Sequence, residues 1–145
     1  MIDTTGNNGG VLTPTITWNN DHFIYDGTGN HASYTRSGCL LTANDINLFG
    51  IKTIRFHVLS STVTNPTGNH TNLFIGVFDR NAVSINAGKI AVVQLATESQ
   101  EMWYDIDVSS VDVAYAVGIA ASSQTKNPIE IKIDKILYYL DEVVE

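Results

Sequence analysis

Apolar residues recur at every second position over much of this chain, in short runs rich in Val, Ile, Thr, Phe and Tyr. Alternation of this kind is typical of β-strands, whose successive side chains point to opposite faces of a sheet. No stretch has the three- and four-residue apolar spacing of a long helix, and we expect only a single helical turn within 43–50. The pattern predicts about nine strands, near 11–18, 22–26, 37–42, 51–60, 71–79, 89–96, 101–108, 113–121 and 129–139.

Regular strands without helices predict an all-β fold in which two antiparallel sheets pack as a β-sandwich. The runs at 51–60 and 129–139 alternate between apolar and polar residues, which is typical of strands with one face in water. The run NLFIGVF at 72–78 is apolar on both faces. We therefore expect it to be a central strand whose second face is also covered.

The stretch MWYDIDVSS at 102–110 places a tryptophan on the same strand face as two aspartates. One face is apolar and is predicted to face the core: Met102, Tyr104, Ile106 and Val108. The other face carries Trp103, Asp105 and Asp107, and carboxylates normally face water. Trp103 is therefore either a platform for a ligand or a residue covered by a loop or a neighbouring subunit.

The strand at 113–121 has one bulky face and one face of small residues, namely Ala114, Ala116, Gly118 and Ala120. Such a smooth face is either packed over by a loop or a neighbouring chain, or forms the floor of a shallow groove. The short connection SSVD predicts a hairpin that pairs 101–108 with 113–121. In that arrangement Trp103 would form a wall of the groove.

Composition narrows the classes of partner. Only 16% of the residues are charged, against roughly 25% in an average protein, so the surface is rich in Asn, Thr, Ser and Gly. The net charge is −7 and the eight basic residues are scattered. Binding to nucleic acid or to an anionic membrane needs clustered Lys and Arg, so neither partner is expected.

The length of 145 residues favours one domain over 1–145, with residues 1–10 flexible and 141–145 forming an acidic tail. The N-terminus lacks the basic and apolar regions of a signal peptide, and no run approaches the roughly 18 apolar residues of a membrane span. We therefore expect synthesis in the cytoplasm, where the protein either stays or is released by lysis; the alternative is that the chain is a fragment of a longer protein. Cys39, the single cysteine, lies in the apolar run GCLLTA and is expected to be buried.

The stretch WYDIDVSSVDVAYAVGIAASS at 103–123, followed by IEIKIDKILYYL at 129–140, resembles the end of jelly-roll domains of the carbohydrate-binding-module type. Such domains occur in bacterial glycoside hydrolases and as accessory modules of phage tail and baseplate proteins. The resemblance implies a jelly-roll β-sandwich that binds cell-wall or surface saccharide without catalysis. Because the N-terminus is polar and lacks a signal peptide, we expect a phage virion tail, assembled in the host cytoplasm with other tail proteins.

Saccharide binding needs an aromatic ring for the apolar face of a sugar and planar polar groups for its hydroxyls. The outward candidates are Trp103, Asp105, Arg55, His57 and Asn72, with Tyr34 and Trp18 as alternatives at loops or strand ends. Without a ligand, His57 would be a solvated strand residue and Arg55 would pair with an acidic neighbour across the sheet.

Other chemistry has less support in the sequence. The histidines lack zinc-ligand spacing; a structural calcium ion is the one cofactor considered, with Asp21, Asp26 and Asp134 as candidate ligands. Asp105 and Asp107 lie about 7 Å apart along a strand and form a remote candidate for a hydrolase pair, but no catalytic motif accompanies them. We expect no enzyme activity. The alternative function is a structural oligomerisation or adaptor domain of a virion, such as a trimer, with the Trp103 side as its subunit interface.

Overall fold

All regular secondary structure in the part of the chain that the structure describes is β-strand. The structure is a computed structural model, and it describes residues 2–3, 15–26, 35–63, 72–82, 85, 87–95, 98–123 and 129–140. These residues form twelve strands, three of them only two residues long. The strands are β1 (Ile2–Asp3), β2 (Thr15–Trp18), β3 (Phe23–Asp26), β4 (Thr35–Leu40), β5 (Ile46–Asn47), β6 (Thr53–Val63), β7 (Asn72–Phe78), β8 (Lys89–Gln94), β9 (Glu98–Ser99), β10 (Met102–Asp107), β11 (Ala114–Ser123) and β12 (Ile129–Tyr139).

The strands make two antiparallel sheets, as the alternation predicted. Sheet A has the order β1-β4-β11-β7-β8, with β5 pairing the start of β11. Sheet B has the order β10-β6-β12-β3-β2, with β9 pairing the end of β6. Each of the nine predicted strands has a counterpart among the described residues, although 11–14 of the first one lie outside them, and the prediction of an antiparallel β-sandwich is confirmed. No described segment is a helix long and apolar enough to cross a bilayer.

The core lies between the sheets and is built from the inward positions of the long strands. Sheet A contributes Leu73, Ile75, Val77, Val117 and Ile119, and sheet B contributes Phe23, Tyr25, Ile54, Phe56, Val58, Ile131 and Ile133. Cys39 is also buried there. Of the β10 residues predicted to face the core, Ile106 is buried. Met102 is exposed, because it lies at the start of an edge strand.

The predicted hairpin between β10 and β11 is wrong. β10 pairs with β6 at the edge of sheet B, whereas β11 lies between β4 and β7 in sheet A. The short connection crosses from one sheet to the other because Val108 is buried in the core and Val111 packs against it. Trp103 therefore cannot form a wall beside the small residues of β11.

The small-residue face of β11 is covered by the protein itself from Ala116 onward, whereas Ala114 at the start of the strand is exposed. Ala116 and Ala120 are fully buried, and Ala120 packs in a second apolar cluster with Phe78 and Ile85. Ile85 comes from the connection between β7 and β8, so that connection covers the outer face of sheet A. The expectation that both faces of β7 are covered is confirmed, and the groove is not formed.

The predicted helical turn at 43–50 is also wrong. Ile46–Asn47 form β5 instead, paired with Ala114 and Tyr115. A turn follows, in which the backbone N–H of Ile51 donates to the carbonyl of Leu48 and the chain passes into β6. Gly50 takes a φ of +82° in this turn, which favours glycine.

Candidate functional site

The outer face of sheet B near its β10 edge carries the aromatic and charged residues that the sequence singled out. Strand register places Trp103 beside His57 and Asp105 beside Arg55. On the other side of β6, Lys135 lies beside His57. We call this surface the Trp103 face and define it as Arg55, His57, Trp103, Asp105, Lys135 and Tyr139.

Trp103 is the exposed aromatic residue at the centre of this face. Its side chain is 42% exposed, and its ring stacks on the His57 imidazole with 4.2 Å between centroids and 27° between planes. The Arg55 guanidinium carbon is 5.5 Å from the indole centroid and the Lys135 Nζ is 5.9 Å from it. The indole is thus held among cationic and polar side chains while part of it faces water.

Arg55 and Asp105 form a two-contact ion pair across β6 and β10. The Arg55 Nε donates to Asp105 Oδ1 at 2.6 Å and an Arg55 terminal nitrogen donates to Oδ2 at 2.9 Å. These hydrogen bonds lower the pKa of Asp105 below its ordinary value, against a smaller opposing effect of burial. The guanidinium also lies 6.0 Å from the Tyr139 ring centroid, so the pair is fixed between two aromatic residues.

His57 is buried, which corrects the expectation of a solvated strand residue. Its side chain lies under Trp103 and is only 5% exposed. Its Nδ1 is 2.5 Å from Asp134 Oδ1, and its Nε2 is 2.8 Å from Glu101 Oε1. Both ring nitrogens are therefore occupied within the protein, and His57 is not available to bind a sugar hydroxyl directly.

Asn72 does not belong to the Trp103 face. It lies on β7, paired with Ser122 in sheet A, whereas Trp103 is in sheet B. The sequence grouped the two because both were predicted to point outward, but outward positions of different sheets lie on opposite sides of a sandwich. Tyr34, an alternative, lies outside the described residues.

The three candidate calcium ligands are not brought together. Asp21 hydrogen-bonds to the Nδ1 of His22 at 2.7 Å, and Asp134 is bonded to His57. Asp26 lies on β3 opposite Glu130. Within the described ranges no group of three or more acidic, histidine or cysteine side chains has the arrangement of a metal site.

Lys135 of the Trp103 face and the two carboxylates that contact His57, Glu101 and Asp134, were not predicted near Trp103. For Asp134 and Lys135 one signal is visible in the sequence. The inward isoleucines of β12 follow a spacing of two up to Ile133, but the next is Ile136. An extra residue in one strand of a pair forms a β-bulge, and the register of β12 on β6 shifts on both sides of Ile133, so that Asp134 is not paired in it. The bulge directs the Asp134 carboxylate to His57.

Trp18 is the second exposed tryptophan and lies at the opposite edge of sheet B. It is 67% exposed on the edge strand β2, with its ring 5.0 Å from that of Phe23. Because β10 and β2 are separated by three other strands, Trp18 and Trp103 belong to separate surfaces.

Comparison with known proteins adds information about the fold. No protein-family model and no curated protein sequence matches this chain. Similar solved structures include PfGH50B, at 12% identity and a TM-score of 0.52 over 100% of this chain and 23% of that protein. An exo-β-agarase is 12% identical with a TM-score of 0.50 over 98% of this chain and 23% of the agarase. A family 11 carbohydrate-binding module from a Clostridium thermocellum cellulase is 15% identical, with a TM-score of 0.47 over 95% of this chain and 86% of the module.

The strand order of the structure itself defines an antiparallel β-sandwich, and the likenesses to PfGH50B and the exo-β-agarase concern the fold alone. The chain spans 23% of the length of PfGH50B and of the exo-β-agarase. At such low identity the match concerns the path of the backbone, so the residues of the Trp103 face must be interpreted from their own chemistry.

Proposed function

We propose that this chain is a non-catalytic saccharide-binding module whose ligand, a bacterial cell-wall or surface polysaccharide, binds the Trp103 face. The observation that carries the proposal is the half-exposed indole of Trp103, held by a stacked imidazole beside the Arg55–Asp105 pair. The setting proposed from the sequence is a phage tail or baseplate, where such a module would hold the virion on its host.

The chemistry of the face suits a sugar. A pyranose presents an apolar face of C–H groups that packs on an aromatic ring, while its hydroxyls need donors and acceptors at the rim. Asp105 supplies carboxylate oxygens and Lys135 supplies an ammonium group next to the indole. Both charged groups are exposed at the surface, so hydroxyls can reach them without displacing core residues.

The two aspartates of β10 do not support a hydrolase. A glycosidase needs one carboxyl group with a raised pKa as its general acid. The pKa of Asp105 is lowered by Arg55, and the pKa of Asp107 is lowered by hydrogen bonds from the hydroxyl and backbone N–H of Ser109. Both groups are therefore held as carboxylates.

The test uses the fact that the chain has only two tryptophans. In a Trp18→Phe background, Trp103 is the sole indole, and its fluorescence is followed during titration with purified cell-wall polysaccharides from candidate Gram-positive hosts. We expect a saturable change with at least one of them. Trp103→Ala in the otherwise unchanged chain should weaken binding by about tenfold or more in a polysaccharide pull-down, whereas the matched control Trp18→Ala should bind like the unchanged protein.

The competing function is a subunit interface on the same face. Two results together would support the binding module. Light scattering at tens of micromolar should give the molar mass of one 15.8 kDa chain, and the Trp103 fluorescence should change with saccharide. If no polysaccharide changes the Trp103 signal and the molar mass is a multiple of one chain that Trp103→Ala reduces, the face is an oligomer interface and our proposal is wrong.

A further inference from the structure

We propose that His57 is held as an imidazolium between Glu101 and Asp134, and that this buried cation is the positioning residue that fixes the Trp103 indole. The effect of His57 on saccharide binding rests on the proposed function. The protonation of His57 and its support of the indole are argued from the geometry alone. His57, Glu101 and Asp134 are contributed by β6, the segment before β10 and the bulge of β12, so three separate segments converge on one ring.

Counting donors gives the protonation state of the ring. A neutral imidazole has one N–H donor and one acceptor nitrogen, whereas an imidazolium has two donors. Here both ring nitrogens lie within hydrogen-bond distance of a carboxylate oxygen, at 2.5 Å and 2.8 Å. When both carboxyl groups are ionised they only accept, and both contacts are then hydrogen bonds only if both ring nitrogens carry a proton.

The other charges near His57 do not reverse this conclusion. Arg55, on the same strand, and Lys135, on β12, are cationic and disfavour a further positive charge. However, Arg55 is paired with Asp105, and neither group is in hydrogen-bond contact with the ring, whereas Glu101 and Asp134 bond to it directly. The nearest charges are therefore negative.

Trp103 needs such a support because β10 lies at the edge of sheet B. Among the residues that the structure describes, its backbone is paired on one side only, by β6, so no second described strand beside β10 holds the side chain. The His57 ring lies 4.2 Å behind the indole and is nearly parallel to it, and a cation over an aromatic face is attracted to it. We call the carboxylates of Glu101 and Asp134 the clamp. The clamp holds the imidazolium, and the imidazolium in turn fixes the plane of the indole that the sugar would contact.

The first experiment observes the ring protons directly. Nitrogen-15 NMR of the histidine side chains at pH 7 is assigned with a His57→Gln variant. We expect His57 to show two ring N–H groups, unlike a neutral ring, which shows one. A neutral tautomer of His57 at pH 7 would overturn the proposal.

The second experiment removes one negative charge while keeping its hydrogen-bonding oxygen. Glu101→Gln is made in the Trp18→Phe background, and Glu130→Gln is the matched control. Glu130 is a half-buried residue of sheet B, and its carboxylate is 3.9 Å from Lys132 Nζ. Because the Glu101 side chain is 68% exposed, the variant should fold. We expect the near-ultraviolet circular dichroism of Trp103 to weaken in Glu101→Gln and to stay unchanged in the control.

Saccharide binding is the third readout, and it separates this inference from the proposed function. Glu101→Gln should weaken binding of the responsive polysaccharide by about three- to tenfold, and Glu130→Gln should not. If the unchanged protein binds no polysaccharide while both spectroscopic results hold, the proposed function fails and the clamp stands. If Glu101→Gln leaves the Trp103 dichroism unchanged, His57 does not position the indole, whatever the binding result.

Discussion

At the scale of single residues, three polar groups of the Trp103 face are already bonded within the protein. Arg55 is bonded to Asp105, and His57 is bonded to Glu101 and Asp134. Side chains fixed in this way lose less conformational freedom when a ligand binds, which is the main benefit of a pre-organised site. The face therefore combines an exposed aromatic surface with oriented hydrogen-bonding groups.

The Arg55–Asp105 pair predicts a pH-dependent contribution to stability. Because Arg55 lowers the pKa of Asp105 in the folded protein, the pair stabilises the fold above the unfolded value of about 3.9, and this contribution is lost as pH falls through the lower folded value. Asp105 is partly exposed, so solvent screening limits the effect to about 0.5 kcal/mol. Asp105→Asn should lower the free energy of unfolding by that amount at pH 7, measured by urea denaturation.

Repeating the measurement in acid tests the cause. Below the folded pKa of Asp105 the unchanged protein and Asp105→Asn should have the same stability, because both then carry a neutral side chain at that position. Asp112→Asn is the matched control, because Asp112 is exposed. A destabilisation of Asp105→Asn that persists unchanged in acid would contradict an electrostatic origin.

The alternation of residues predicted which side chains share a face, but not how the strands pair. Trp103 and Asp105 were expected to point outward from one strand, and Arg55 and His57 from another. The register of β10 on β6 places the two sets side by side. Asn72 was grouped with them by the same rule and lies in the other sheet. Strand pairing depends on contacts between residues far apart in sequence, so a local pattern does not determine it.

At the scale of strands, the positions of the elements were predicted well and one connection was not. Two strands separated by a short turn usually form a hairpin, but the turn after β10 carries two valines that pack into the core. Burial of Val108 and Val111 directs the chain across the end of the sandwich. An apolar residue on each side of a short polar turn was therefore the signal against the hairpin.

Gly76, in the middle of β7, is required by both conformation and space. Its φ is +148°, which L side chains rarely adopt, and an added Cβ would overlap the carbonyl oxygen of Ala91 on β8. Gly76→Ala should therefore cost about 3 kcal/mol or more of unfolding free energy, measured by urea denaturation.

Gly50 provides the matched control for Gly76. It also has a positive φ, of +82°, but an added Cβ would meet nothing within 4 Å. Gly50→Ala should cost only the backbone strain, about 1 kcal/mol. Equal costs for the two variants would show that the close approach of β7 and β8 is not what excludes a side chain at Gly76.

Because Ile85 packs over the outer face of sheet A, we predict that shortening its side chain also has a large effect on the free energy of unfolding. Ile85 is fully buried although it lies in a connection between strands. Ile85→Ala should lower the unfolding free energy by about 3 kcal/mol, because it leaves a cavity over Ala120 and Phe78. Ile90→Ala, at an exposed position of β8, should cost much less, and a similar loss in both would mean that the cover is not held by Ile85.

At the scale of the whole molecule, the two sheets depend on each other for burial. Their inward faces share one core, so opening either sheet exposes residues of both. Composition and alternation alone predicted two antiparallel sheets. They did not predict where the chain crosses from one sheet to the other, because this depends on which turns bury their apolar residues.

Cys39 offers a measurement of this cooperative opening. It lies on β4, between β1 and β11, and burial raises the pKa of its thiol to about 12. At pH 8 almost no reactive thiolate forms in the folded protein, so a thiol reagent must wait for the chain to open. We expect labelling by a disulfide reagent to be slow in buffer and rapid in concentrated urea.

The dependence of the labelling rate on urea distinguishes global from local opening. If Cys39 reacts only when the sandwich unfolds, the logarithm of the rate rises with urea with the same slope as the equilibrium unfolding constant. Gly76→Ala should then accelerate labelling by the factor by which it raises that constant, although Gly76 lies two strands away from Cys39. A native labelling rate that is insensitive to low urea and to Gly76→Ala would instead show that β4 separates from sheet A on its own, and the two sheets would not unfold as one unit.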